Sequence, residues 1–100
     1  MYFYSRHNFY FTPKLFALRN ELPSSNIVQK EIENHYRLIR ILWGTSNNPN
    51  NQAEEYSGLG ELYVNDERYT IIEGEKQPEF ALFLKNSTEY FVNNNLLKNL

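Results

Sequence analysis

Residues 26–43, NIVQKEIENHYRLIRILW, constrain this chain more than any other stretch. Val28, Ile32, His35 or Tyr36, Ile39, Leu42 and Trp43 recur at intervals of three and four, the spacing that lines side chains along one face of an α-helix. At a rise of ~1.5 Å per residue such a helix is ~27 Å long. Burying about six large side chains contributes on the order of 1.5 to 3 kcal/mol each, before the entropy of ordering them is counted. A helix of this kind organises a core. Its outer face carries Lys30, Glu33, Arg37 and Arg40, with Glu33 four residues before Arg37 in the order that favours pairing. Ser24-Ser25 offers an N-cap, and Gly44 stands where the helix must stop.

The other elements arrange themselves around it. Thr12-Pro13 opens a short helix over residues 13–21, with Leu15, Phe16, Leu18 and Leu22 as its apolar surface and Pro23 as its end. TSNNPNN is loop. A third helix is expected from about Asn51 to Val64, with Ala53, Tyr56, Leu59, Leu62 and Tyr63 on one side. Gly58 and Gly60 cost ~1 kcal/mol each there relative to alanine, so close approach is expected on that side, by another helix ahead of a ligand. Asn65-Asp66 breaks the helix, and Asp66 caps a short turn that holds Glu67, Arg68 and Tyr69. Arg68 is positioned to pair with a carboxylate or a helix end, and Tyr69 to enter the core. Thr70-Ile71-Ile72 reads as the end of that turn or as loop. Pro78 starts a last helix, roughly residues 78–93, with Phe80, Phe83, Leu84, Ser87 and Phe91 inward. The tail LLKNL extends it or frays. The first eleven residues, MYFYSRHNFYF, hold six aromatics and fit neither a helical nor a strand period. With no repeat and no long linker, the expectation is one all-α domain over 1–100, a bundle of four to five helices. It comprises an aromatic arm (1–11), a helical core (12–93) and a tail (94–100).

Composition excludes several functions. A net charge of -2 gives no basic field for nucleic acid. The absence of cysteine removes disulfides, thiolate metal sites and a cysteine nucleophile. No apolar run reaches the ~20 residues that span a bilayer, and the N-terminus lacks the order of a signal peptide, so a cytoplasmic protein is expected. His7 and His35 are the two histidines, and neither has a second ligand at metal spacing. His35 is expected at the core edge, bonded to a backbone or carboxylate partner. Glu54 and Glu55 suit the positive end of a helix dipole, and Gly58-Leu59-Gly60 lacks the strand-turn-helix setting of a phosphate loop. Neither an enzyme nor a cofactor is expected. The remaining resource is eight Tyr, seven Phe and one Trp. Aromatic rings with a polar tip line pockets for bulky ligands and also fill small cores, and spacing does not separate the two.

Three segments together carry a family likeness: IVQKEIENHYRLIRILWG, GLGELYVNDERYT and EFALFLKNSTEYF. Over about residues 15–93 the chain resembles the TipAS-type antibiotic-recognition domain, most specifically in Leu59-Gly60-x-x-Tyr63-x-x-Asp66-x-Arg68-Tyr69 following Val28-Gln29 and His35. The resemblance implies a globin-like helical fold and non-catalytic binding of bulky antibiotics, thiopeptides among them. In the family this domain is the effector domain of MerR-type multidrug regulators. The winged DNA-binding domain and coiled coil of those regulators are not in this sequence, and a stand-alone binder is expected. The expected ligand site comprises His35, Tyr36, Ile39 and Trp43 of the long helix with Tyr56, Leu59 and Tyr63 of the third. The family's thiopeptide binders can use a cysteine after the long helix as a covalent anchor. Gly44-Thr45-Ser46 stands there instead, and a hydroxyl without a base is a poor nucleophile. The alternative expectation is a protein-interaction module, a homodimer or a complex with a protein partner, assembled through the aromatic arm.

Overall fold

The computed structural model describes residues 11–97. These form four α-helices, α1 (Pro13–Ala17), α2 (Asn26–Trp43), α3 (Ala53–Asn65) and α4 (Pro78–Phe91). A 3-10 turn (Glu67–Thr70) follows α3, and a π-helical turn (Val92–Leu96) extends α4. The all-α bundle expected from the sequence is the observed fold.

Thr12 caps α1 by accepting the Leu15 N–H at 3.2 Å, and its own hydroxyl donates to Glu31 of α2 at 2.7 Å. The helix closes at Ala17 rather than reaching Glu21. Leu22 is not part of its apolar face but is exposed, because the residue before Pro23 is driven out of helical geometry. Leu15 is fully buried and alone carries the contact of α1 with the centre of the core, with Phe16 and Leu18 packed at its edge.

α2 has the limits its sequence implies. Val28, Ile32 and His35 are fully buried and Tyr36 and Ile39 nearly so. Leu42 and Trp43 have the right spacing but lie on a last turn that runs past the core, where both are exposed. Gly44 adopts φ of 76°, and Thr45 N–H returns to the Arg40 carbonyl at 2.8 Å. At the other end Ser25 has the extended backbone of a cap, but its hydroxyl makes no capping bond. Gln29 secures this end instead, donating to the carbonyls of Pro23 (2.7 Å) and Ser87 (3.1 Å) and so tying α2 to α4.

α3 and α4 cross closely at Gly60. A Cβ on Gly60 would lie 2.4 Å from Thr88 Oγ1 and 3.6 Å from Lys85 Cα, so the close approach expected there is by a helix. Gly58 has open space on its side. Beyond α3, the Asp66 carboxylate accepts the Arg68 N–H at 3.2 Å and pairs with the Arg68 guanidinium at 2.6 and 2.8 Å. Tyr69 packs against the core from its edge. Ile72 and Glu75 then exchange two 2.9 Å backbone bonds around Gly74, whose φ is 81°. Pro78 takes the first position of α4, as its missing N–H favours. Phe80 receives the edges of Phe11 and Phe16, each with centroids 5.0 Å away. Phe11 is the last residue of the aromatic arm, and residues 1–10 lie outside the described residues.

The two glycines of α3 therefore differ in sign. Gly58→Ala is expected to stabilise by up to ~1 kcal/mol, the helix-propensity gain. Gly60→Ala is expected to destabilise by about 1–2 kcal/mol, because the overlap with Thr88 outweighs that gain. Urea unfolding midpoints at unchanged slope measure both, and Thr88→Ala in the Gly60→Ala background should recover most of the loss.

Candidate ligand cleft

The most buried polar group of α2 organises the region where α2, α3 and α4 meet. His35 Nδ1 lies 2.6 Å from the Tyr56 hydroxyl and Nε2 3.2 Å from that of Tyr63. All three residues have no measurable exposure. Tyr56 and Tyr63 stand seven residues apart on α3, two turns along one face, so one imidazole reaches both. Tyr56 directs its hydrogen to the Ile32 carbonyl at 3.4 Å. A neutral imidazole donates from one ring nitrogen and accepts at the other, so a phenol, which can do either, suits each side of the ring. The partners of His35 include two phenols, Tyr56 and Tyr63.

Burial pushes the Tyr56 phenol well above its ordinary pKa, reinforced by Tyr63 and Tyr36 nearby. Its ring meets Tyr36 edge-on, with centroids 5.0 Å apart, and Tyr36 leans against Phe91 at 5.4 Å. The Tyr36 hydroxyl accepts the N–H of Gln52 at 2.9 Å, just before the first turn of α3. Tyr36 is thus fixed at ring and hydroxyl, with a small part of its surface exposed.

That surface belongs to a cleft of about 550 Å³ between α2 and the C-terminal end of α4. Glu33, Tyr36, Arg37, Arg40 and Ile41 line it from α2, Ser46 from the loop, and Phe91, Asn95 and Leu96 from α4 and the π turn. The wider winding of that turn is held by Asn51 Nδ2 on the Leu96 carbonyl at 3.0 Å. Arg40 holds the loop wall. Its Nη2 donates to the carbonyls of Thr45 (2.6 Å), Asn48 (2.7 Å) and Asn50 (3.1 Å), and its guanidinium carbon sits 5.7 Å from the centre of the Tyr36 ring.

Of the seven residues expected at a ligand site, Tyr36 lines this cleft. His35, Tyr56 and Tyr63 form the buried network beneath it, and Ile39 and Leu59 pack in the core. Trp43 is 41% exposed on the last turn of α2 and is not among the lining residues. Sequence reasoning placed Arg37 and Arg40 on the outer face of α2 without giving them a ligand role. The available signal was Ile41, an apolar residue set among polar ones on that face. Among the described residues, no group of three His, Asp or Glu is placed to hold a metal ion, and no helix is long and apolar enough to cross a membrane.

The network gives the fold an alkaline limit. Above about pH 10 the unfolded chain loses the Tyr56 proton while the folded chain keeps it, so stability is full below that pH and falls as pH rises through it. Urea midpoints between neutral and strongly alkaline pH, read with phenolate absorbance, should show Tyr56 ionising only with unfolding. Tyr56→Phe should cost about 1–3 kcal/mol at neutral pH by removing a buried hydrogen-bond partner of His35 Nδ1, and should reduce the alkaline loss.

Residues 11–91 match the family defined by the TipAS antibiotic-recognition domain. No curated protein and no solved structure matches the chain. The family match covers most of the sequence and includes every helix but the final π turn, and the chain belongs to the TipAS antibiotic-recognition domain family.

Proposed function

We propose that this chain binds bulky antibiotic-like small molecules, thiopeptide or polyaromatic, without transforming them, and serves in the cytoplasm as a drug-sensing or sequestering domain. The observation that carries this reading is the fixed Tyr36–Phe91 floor of the cleft, flanked by Ile41 and Leu96. Its volume lies within the ~300–1,000 Å³ of small-molecule sites, and polar groups around an apolar floor can orient a ligand there. Family membership supports the ligand class. Contacts from His35, Tyr56 and Tyr63 act in this reading from beneath, by holding Tyr36 in place, with Ile39 and Leu59 as the packing around them.

A panel of polyaromatic compounds and thiopeptides, tested by thermal unfolding, is the direct test. A ligand at 100 times its Kd adds about 2.7 kcal/mol, which raises the Tm of a domain this size by roughly 10 °C or more. Ile41→Glu is expected to fold normally, since Ile41 is 62% exposed, and to weaken binding at least about tenfold by placing a charge on the apolar floor. A flat response to the whole panel removes the reading.

The second reading, a protein-interaction module, is favoured by the consecutive exposed residues Ile41, Leu42 and Trp43. A second copy of the chain is the partner of matching chemistry. It predicts a dimer in sedimentation equilibrium that Trp43→Glu dissociates, and a monomer at high concentration rejects it.

A further inference from the structure

We infer that the cleft prefers a drug-sized fused-ring aromatic acid to a neutral ligand of the same shape. This rests on the binding function proposed above and names the ligand chemistry of that same site.

Charge is the first ground. Arg37 and Arg40 line the cleft with a single carboxylate, Glu33, so the lining carries one positive charge in excess. The second is the bonding of Arg40. All its hydrogen bonds to the described residues leave from Nη2; Nη1 has no acceptor among them, and Nε is buried with no partner. A guanidinium with Nη1 unused beside an aromatic floor suits a carboxylate joined to a ring system. The third ground is the ease with which Arg37 is released. Its 2.7 Å pair with Glu33 lies at the surface, with Arg37 largely exposed and Glu33 nearly half exposed, and a pair open to solvent in this way is readily exchanged for another anion. The ring system would lie along Tyr36, Phe91 and Leu96, and its carboxylate would face the arginines.

The test uses the full chain with 1-pyrenebutyrate and its neutral amide, followed by fluorescence anisotropy at low and high salt. The acid is expected to bind about tenfold tighter or more, the scale of a hydrogen bond to a charged group, with the gap narrowing in salt. Arg37→Gln should narrow the gap. Glu33→Gln should widen it by freeing Arg37, an effect that a purely structural role for Glu33 would not produce. Both variants are near-isosteric or change a solvent-facing side chain outside the core, so folding is preserved, whereas Arg40→Gln also loosens the loop and is the secondary variant. Equal binding of acid and amide overturns the inference and leaves the binding function standing. So does an acid preference that neither Arg37→Gln nor Glu33→Gln alters, because the acid then binds elsewhere. If neither probe binds and the thiopeptides also fail to raise the Tm, both the inference and the binding function fall.

Discussion

The two-sided hydrogen bond of His35 sets the register on which the rest of the molecule depends. An imidazole in a dry core needs an acceptor on one nitrogen and a donor on the other, and each buried group left unmet costs about 1–3 kcal/mol. Tyr56 and Tyr63 meet that need only if α3 lies against α2 with one particular face and one axial position. Apolar packing alone tolerates sliding and rotation far better than this polar triad does. Once the register is set, the Tyr36 hydroxyl meets the Gln52 N–H, and the Tyr36 ring comes to rest between Tyr56 and Phe91. α4 is then seated by contact: only glycine at position 60 lets the Lys85–Thr88 turn come so near. The cleft floor is therefore a consequence of buried hydrogen bonding several ångströms beneath it.

What could be read in the sequence was local. The limits of α2 follow from a spacing, an extended residue before it and a glycine after it, all within the segment itself. The same holds for Thr12 before α1, Asp66 before the 3-10 turn and Pro78 at the head of α4. Leu42 and Trp43 were misplaced for the opposite reason. Periodicity tells which face of a helix is apolar but not how far along the axis a partner extends, and both remain exposed on the last turn of α2. The π turn is also a tertiary outcome. Val92 and Leu96 are buried there, and Asn51 holds the widened backbone from another part of the chain. Nothing within VNNNL announces that.

The aromatic residues show the same division in the site. Composition left open whether they fill a core or line a pocket, and the fold distributes them between both roles. Tyr56 and Tyr63 are wholly inside, Tyr36 has one edge on the cleft, and Trp43 stands outside. The difference lies in axial position on α2 and in whether a hydroxyl finds a partner, neither of which a helical repeat encodes.

The residues on which the sequence resemblance to the family rests and those that line the cleft are largely separate sets. Gln29 ties helix ends, His35 and Tyr63 belong to the buried network, Gly60 admits α4, and Asp66 with Arg68 forms the corner after α3. Each of these tasks is architectural. Arg37, Arg40, Ile41, Asn95 and Leu96 face the cleft and lie outside that signature. An exchange among the first set disturbs helix register and so costs stability; an exchange among the second changes charge and shape at a surface that the fold already holds in place. A signature made of the first kind reports the scaffold faithfully and does not choose among ligands of a class. In the proposed reading, ligand preference is accordingly a question about two arginines and one glutamate on the outer face of α2, not about the residues that carry the family resemblance.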